Sequence, residues 1–210
     1  LEGDALKKAL LAIHQETNKL VTYDTSVEDE SDFGVQLGCN GIVHILFEYI
    51  HFDDSENPVE ILKRIDEKRE YAVLLCLFSE NRSKIQPGTL MFYRKSDDLV
   101  ADRFLCFKET FISVLKFKRT LVNQQDFEGE RFSALFDFIP ARVSLVIAGA
   151  GNDVKPLVEM SAILGWEIHV ADGRHLQATA ARFPKATTVQ IILSENFTKN
   201  FQIDGQTFFV

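Results

Sequence analysis

Apolar residues recur at helical spacing over residues 3–15, where Ala5, Leu6, Ala9, Leu10, Ala12 and Ile13 fall on one stripe, and this predicts a helix. The acidic, polar stretch 26–32 reads as a solvated loop. Glycines then bracket a thiol in Leu37-Gly38-Cys39-Asn40-Gly41, a tight turn before the β-branched and aromatic strand pattern of 42–50. Asn57-Pro58-Val59-Glu60 starts a helix, with Asn57 as cap, Pro58 in the first turn and Glu60 three residues after the cap. Residues 71–78 form a strand buried on both faces, and after the Pro87-Gly88 turn a second strand over 89–93 pairs antiparallel with it. The pattern of 104–121 mixes both periods and selects neither helix nor strand. A turn at Phe127-Glu128-Gly129-Glu130 leads to a strand over 133–139.

At Pro140 the pattern changes character. A continuous apolar strand, 143–148, ends in Gly149-Ala150-Gly151 and is followed by a helix over 153–164 that Gly165 caps. Val154, Leu157, Val158, Ser161 and Ala162 face inward on that helix. A strand over 166–171, a helix over 176–182 stopped before Pro184, and a strand over 187–193 complete β-α-β-α-β, the opening half of an open parallel sheet. The fold class is therefore α/β: an N-terminal α+β domain, 1–139, followed by the first half of a Rossmann-like parallel-sheet domain, 140–210. Both ends read as cut, and 206–210 reads as a buried strand stopped in mid-run.

Composition narrows the function classes. A formal charge of −8, with no long basic run, disfavours nucleic acid and anionic membranes as partners. The apolar runs are too short to span a bilayer, and no signal-peptide pattern opens the chain. Three cysteines without paired spacing suit a reducing compartment, so a cytoplasmic protein is expected. The five histidines offer no zinc spacing, and neither a nucleophile elbow nor a Walker loop is present.

Two local patterns carry candidate chemistry. Gly149 and Gly151 stand between strand and helix, where a dinucleotide fold cradles pyrophosphate, and Asp172 follows about 20 residues on, where the ribose-binding acid belongs. Val154 occupies the third glycine position, and Asp153 sets a carboxylate where a phosphate would dock. The same residues are also compatible with a plain strand-to-helix turn in which Asp172 caps the next helix. Arg174 is placed to pair with Asp172 or to hold a phosphate. The Cys39 thiol, flanked by glycines, suits a sulfur or metal ligand, although a single cysteine in a turn is more often incidental. Cys76 and Cys106 lie in apolar runs and read as core residues.

Taken in order, Leu1-Glu2-Gly3-Asp4, the Cys39 turn, Gly149-Ala150-Gly151-Asn152, Ala171-Asp172-Gly173-Arg174 and Arg182-Phe183-Pro184 resemble the XdhC/CoxI family of maturation factors. Family members carry a Ser-Gly-Gly-Cys segment before the first of these pieces and continue the Rossmann domain past the last. The resemblance implies a protein that binds molybdenum cofactor and delivers its sulfurated form to a xanthine or CO dehydrogenase-type molybdenum hydroxylase. It further implies a chaperone that meets a sulfurtransferase (cysteine desulfurase), forms a homodimer and is itself no enzyme. Carried to this chain, the cofactor-binding set is Gly38, Cys39, Gly41, Gly149, Gly151, Asn152, Asp172 and Arg174, with Cys39 near molybdenum or its sulfur. Asn40 and Asn152 stand where the family has Gly and His. A NAD(P)-dependent oxidoreductase on the same half-sheet, and an interaction scaffold with a vestigial Rossmann half, are the competing readings.

Overall fold

The structure is a computed structural model; it describes residues 2–24, 41–97, 101–193 and 197–210. The expected acidic loop, together with Gly38, Cys39 and Asn40, lies outside the described residues. The chain divides into two compact units, Leu1–Pro140 and Ala141–Val210.

In the first unit, helix α1 (Glu2–Gln15) precedes an antiparallel hairpin of β1 (Lys19–Asp24) and β2 (Ile42–Phe47), in which Lys19 pairs with Phe47 and Asp24 with Ile42. The stripe on α1 stays largely open. Ala12 is buried, whereas Leu6, Leu10 and Ile13 are exposed. Helix α2 (Pro58–Asp66) begins as its sequence dictates, with the Asn57 side chain accepting from the amides of Val59 and Glu60.

Four further strands, β3 (Ala72–Phe78), β4 (Gly88–Arg94), β5 (Leu121–Phe127) and β6 (Glu130–Ile139), form an antiparallel sheet in the order β4-β3-β6-β5. The undecided segment before β5 resolves into a 3-10 turn, Asp102–Phe107, running into helix α3 (Lys108–Phe117), which stops at Lys118 in left-handed backbone. Alternation along β3 explains why it is buried on both sides. Val73, Leu75 and Leu77 face a core shared with Phe104, Phe107, Phe111, Phe127 and Phe136, while Ala72 and Leu74 face Ile61 and Ile65 of α2. Phe107 is the hub of the first core, with ring centroids 5.5 Å from Phe127 and 5.8 Å from Phe136.

The second unit is a parallel sheet of β7 (Ser144–Ala148), β8 (Glu167–Asp172), β9 (Thr188–Ile191) and β10 (Thr207–Phe209), ordered β10-β7-β8-β9. Helix α4 (Val154–Ile163) connects β7 to β8. Its Val158 packs with Leu145, Ile147, Ile168, Val170 and Phe183, supported by Val154, Leu157 and Ala162. The chain thus proceeds outward from β7 to β9 and then returns to the other side of β7. A reversal of this kind marks the switch point where open α/β sheets bind ligands.

One expected element needs correction. The helix over 176–182 is absent; 174–187 is a succession of tight turns. Buried Ala178 and Phe183 anchor these turns, and Arg182 donates to the main-chain oxygens of Gln177 inside the segment and of Ala150 in the glycine turn. The terminal strand forms as predicted: β10 pairs in parallel with β7, and Phe208 and Phe209 are exposed.

Candidate functional site

At the C-terminal end of β7 the chain must turn sharply into α4. Gly149 does so at φ 139°, a conformation that side chains disfavour. Its amide donates to Ala171 O at 2.8 Å, which ties the turn to β8 from its first residue.

The end of β8 completes the tie. Asp172 is 9% exposed and its two carboxylate oxygens are fully engaged. Oδ2 accepts from the Ala150 amide at 2.8 Å and from Arg174 Nη2 at 2.7 Å. Oδ1 accepts from the Arg174 amide at 2.8 Å and from Arg174 Nε at 2.9 Å. The Arg174 side chain, first through its hydrogen bonds, and then the Arg174 and Ala150 amides hold this carboxyl well below the usual carboxylate range, against the opposing effect of burial. In return the carboxylate raises the Arg174 pKa.

A second arginine braces the turn from the far side. Arg182 Nη1 donates to Ala150 O at 2.8 Å and to Gln177 O at 2.9 Å, with Gln177 Oε1 also in contact. Its Nη2 donates to Asn152 Oδ1 at 2.8 Å. Sequence reasoning did not assign Arg182 a role.

Gly149, Gly151, Asn152, Asp172 and Arg174 are therefore brought together at the carboxyl ends of β7 and β8. Gly41 lies in the first unit, at the residue leading into β2. Gly38 and Cys39 fall outside the described residues. No group of three His, Cys, Asp or Glu able to hold a metal ion occurs among the described residues. Among them, too, no helix is long and apolar enough to cross a membrane.

The turn departs from a pyrophosphate cradle in one respect. Space beside Gly151 that such a cradle leaves to the ligand is taken by Asp153, whose Oδ1 sits where a Cβ on Gly151 would be and whose Cγ lies 3.4 Å from that point. In this position the Asp153 carboxylate opposes an anionic group placed over Gly151.

Comparison with known proteins gives this geometry its context. Residues 145–207 match the family model of the XdhC Rossmann domain. Over 202 residues the chain is 24% identical to a probable xanthine dehydrogenase component from Bacillus subtilis, covering 96% of this chain and 57% of the relative. A crystal structure of a xanthine dehydrogenase from Bacillus halodurans superposes with TM-score 0.66 at 21% identity, over 99% of this chain and 57% of that one, and shows the same fold. The chain thus spans a little over half the length of the curated relative it matches. The strand–turn–helix with its Asp172–Arg174 closure thus lies within the stretch that matches the XdhC Rossmann domain.

Proposed function

We propose that the chain is the larger part of a maturation factor that serves a xanthine dehydrogenase-type molybdenum hydroxylase. The observation that carries this reading is the XdhC Rossmann match over 145–207, within a chain that aligns almost throughout with a protein named as a component of xanthine dehydrogenase. The cargo is molybdenum cofactor in its sulfurated form. The partners are the molybdenum-binding polypeptide of the hydroxylase, a cysteine desulfurase and a second copy of the chain.

In this reading the crevice at the switch point receives the cargo. Arg174 and Arg182 supply positive charge around Gly149, Gly151 and Asn152, and Asp172 fixes the position of Arg174. Cys39, outside the described residues, offers in sequence a sulfur donor that suits molybdenum or its sulfur. Delivery requires no bond-making by the chain itself, which agrees with a carrier rather than an enzyme.

The nicotinamide reading is disfavoured by the site's own acids. The carboxylate that would take a ribose hydroxyl is already saturated by Arg174 and Ala150, and Asp153 occupies the phosphate side. The test is cofactor loading. Full-length protein purified from molybdopterin-producing cells should yield the fluorescent oxidation products of the pterin near one per protomer. A Cys39→Ala variant should retain less. Pterin-free protein from such cells would overturn the proposal.

A further inference from the structure

We infer that Asp153 closes the glycine turn of the second unit to pyrophosphate-bearing ligands, so that this Rossmann unit rejects the dinucleotides its strand order would otherwise hold. Three features converge on this. The Asp153 carboxylate fills the space beside Gly151 instead of capping α4, to whose first-turn amides it makes no hydrogen bond. The Ala150 amide, one of the donors the turn could offer an anion, is already given to Asp172. Both nearby guanidinium groups are engaged within the chain, Arg174 by Asp172 and Arg182 by Ala150 O, Gln177 and Asn152.

A pyrophosphate arriving here meets a carboxylate where it needs an open backbone, beside two guanidinium groups already hydrogen-bonded within the chain. Repulsion between like charges at close range is a strong means of exclusion, because it penalises the wrong ligand without requiring better contacts to the right one. Asp153 is in this sense a specificity-determining residue. Its effect is confined to ligands that place phosphate over Gly151. The inference rests on the geometry of the turn.

The experiment titrates full-length wild type, D153N and D153G with ADP-ribose, a dinucleotide fragment that keeps the pyrophosphate and carries no redox chemistry. Calorimetry reads the affinity, and thermal melting verifies that all three proteins are folded. Wild type is expected to bind no tighter than about 1 mM, a level at which binding free energy is only about 4 kcal/mol. D153G should bind about tenfold tighter or better, and D153N should fall between them if charge as well as volume excludes the ligand. Micromolar binding by wild type, or no gain in D153G, overturns the inference. Pterin loading of the same three proteins separates the two proposals: an ADP-ribose gain in D153G without pterin on any of them would leave this inference standing and remove the carrier reading.

Discussion

The Asp172 carboxylate accepts a hydrogen bond from the Ala150 amide at 2.8 Å, so the end of one central strand holds the bend that follows its neighbour. Ala150 is fully buried, and its N–H has Asp172 as partner. Replacing Asp172 by Ala should therefore leave a buried donor unsatisfied and cost the second unit about 1–3 kcal/mol. D172N keeps an acceptor for Ala150 and should cost less. Trp166, the chain's only tryptophan, packs against the core of this unit, and its fluorescence during urea unfolding reads the loss.

The same carboxyl sets a pH dependence. Its folded pKa lies below the ordinary value of 3.8, so the unfolded chain takes up the proton first as pH falls. The stabilisation is complete above the ordinary carboxylate range and is lost as pH drops through the folded value. The stability gap between wild type and D172N should thus be widest at neutral pH and should narrow in strong acid. Its size is modest, since the Arg174 side chain is 67% exposed and water screens the pair. A gap that widened on acidification would contradict the assignment.

Gly88 should tolerate no side chain. It sits at φ 83°, and a Cβ there would run into Glu48 Oε1 and lie 2.7 Å from Asn18 Nδ2. Those two side chains clamp the β1–β2 hairpin to the start of β4: Asn18 donates to Gln86 O and Pro87 O, and Glu48 accepts from Thr89. G88A should destabilise the first unit by about 1–3 kcal/mol, through backbone strain and loss of the clamp. A melting temperature for this unit equal to that of wild type would show that the clamp contributes nothing.

The cysteines should differ sharply in reactivity. Burial, with a further contribution from the Glu48 charge, pushes the Cys76 thiol up to about 12, so it stays protonated at neutral pH. Cys106 is exposed, contrary to its reading as a core residue: it lies in the 3-10 turn, whose buried side chains are Phe104 and Phe107. Brief iodoacetamide treatment of native protein followed by peptide mass spectrometry should mark Cys106 and spare Cys76. In urea both should react. Native labelling of Cys76 would contradict the packing of β3.

What the sequence discloses depends on where each element's stability comes from. Asn57 and Pro58 announce α2 because the cap is a local interaction. The strand, turn and helix of β7 and α4 are legible for a similar reason: a parallel strand buried on both faces must be apolar throughout. Strand β5 gives no such sign. Asn123, Gln124, Gln125 and Asp126 carry no apolar alternation, and pairing with β6 across the sheet makes them a strand. β1 is missed likewise, since a two-stranded hairpin imposes weak alternation on Lys19–Asp24. In the site, Asp172, Arg174 and Asp153 stand out by position, whereas Arg182 acts through the main-chain oxygens of Gln177 and of Ala150, 32 residues away, a tertiary contact that no pattern in the chain foretells.

The most direct test of the carrier reading is made in the cell. With the gene for this chain deleted, the molybdenum hydroxylase should accumulate to its normal level yet fail to oxidise xanthine, and the full-length gene should restore activity. Hydroxylase that is fully active in the deletion strain, with its complement of sulfurated cofactor intact, would contradict the account.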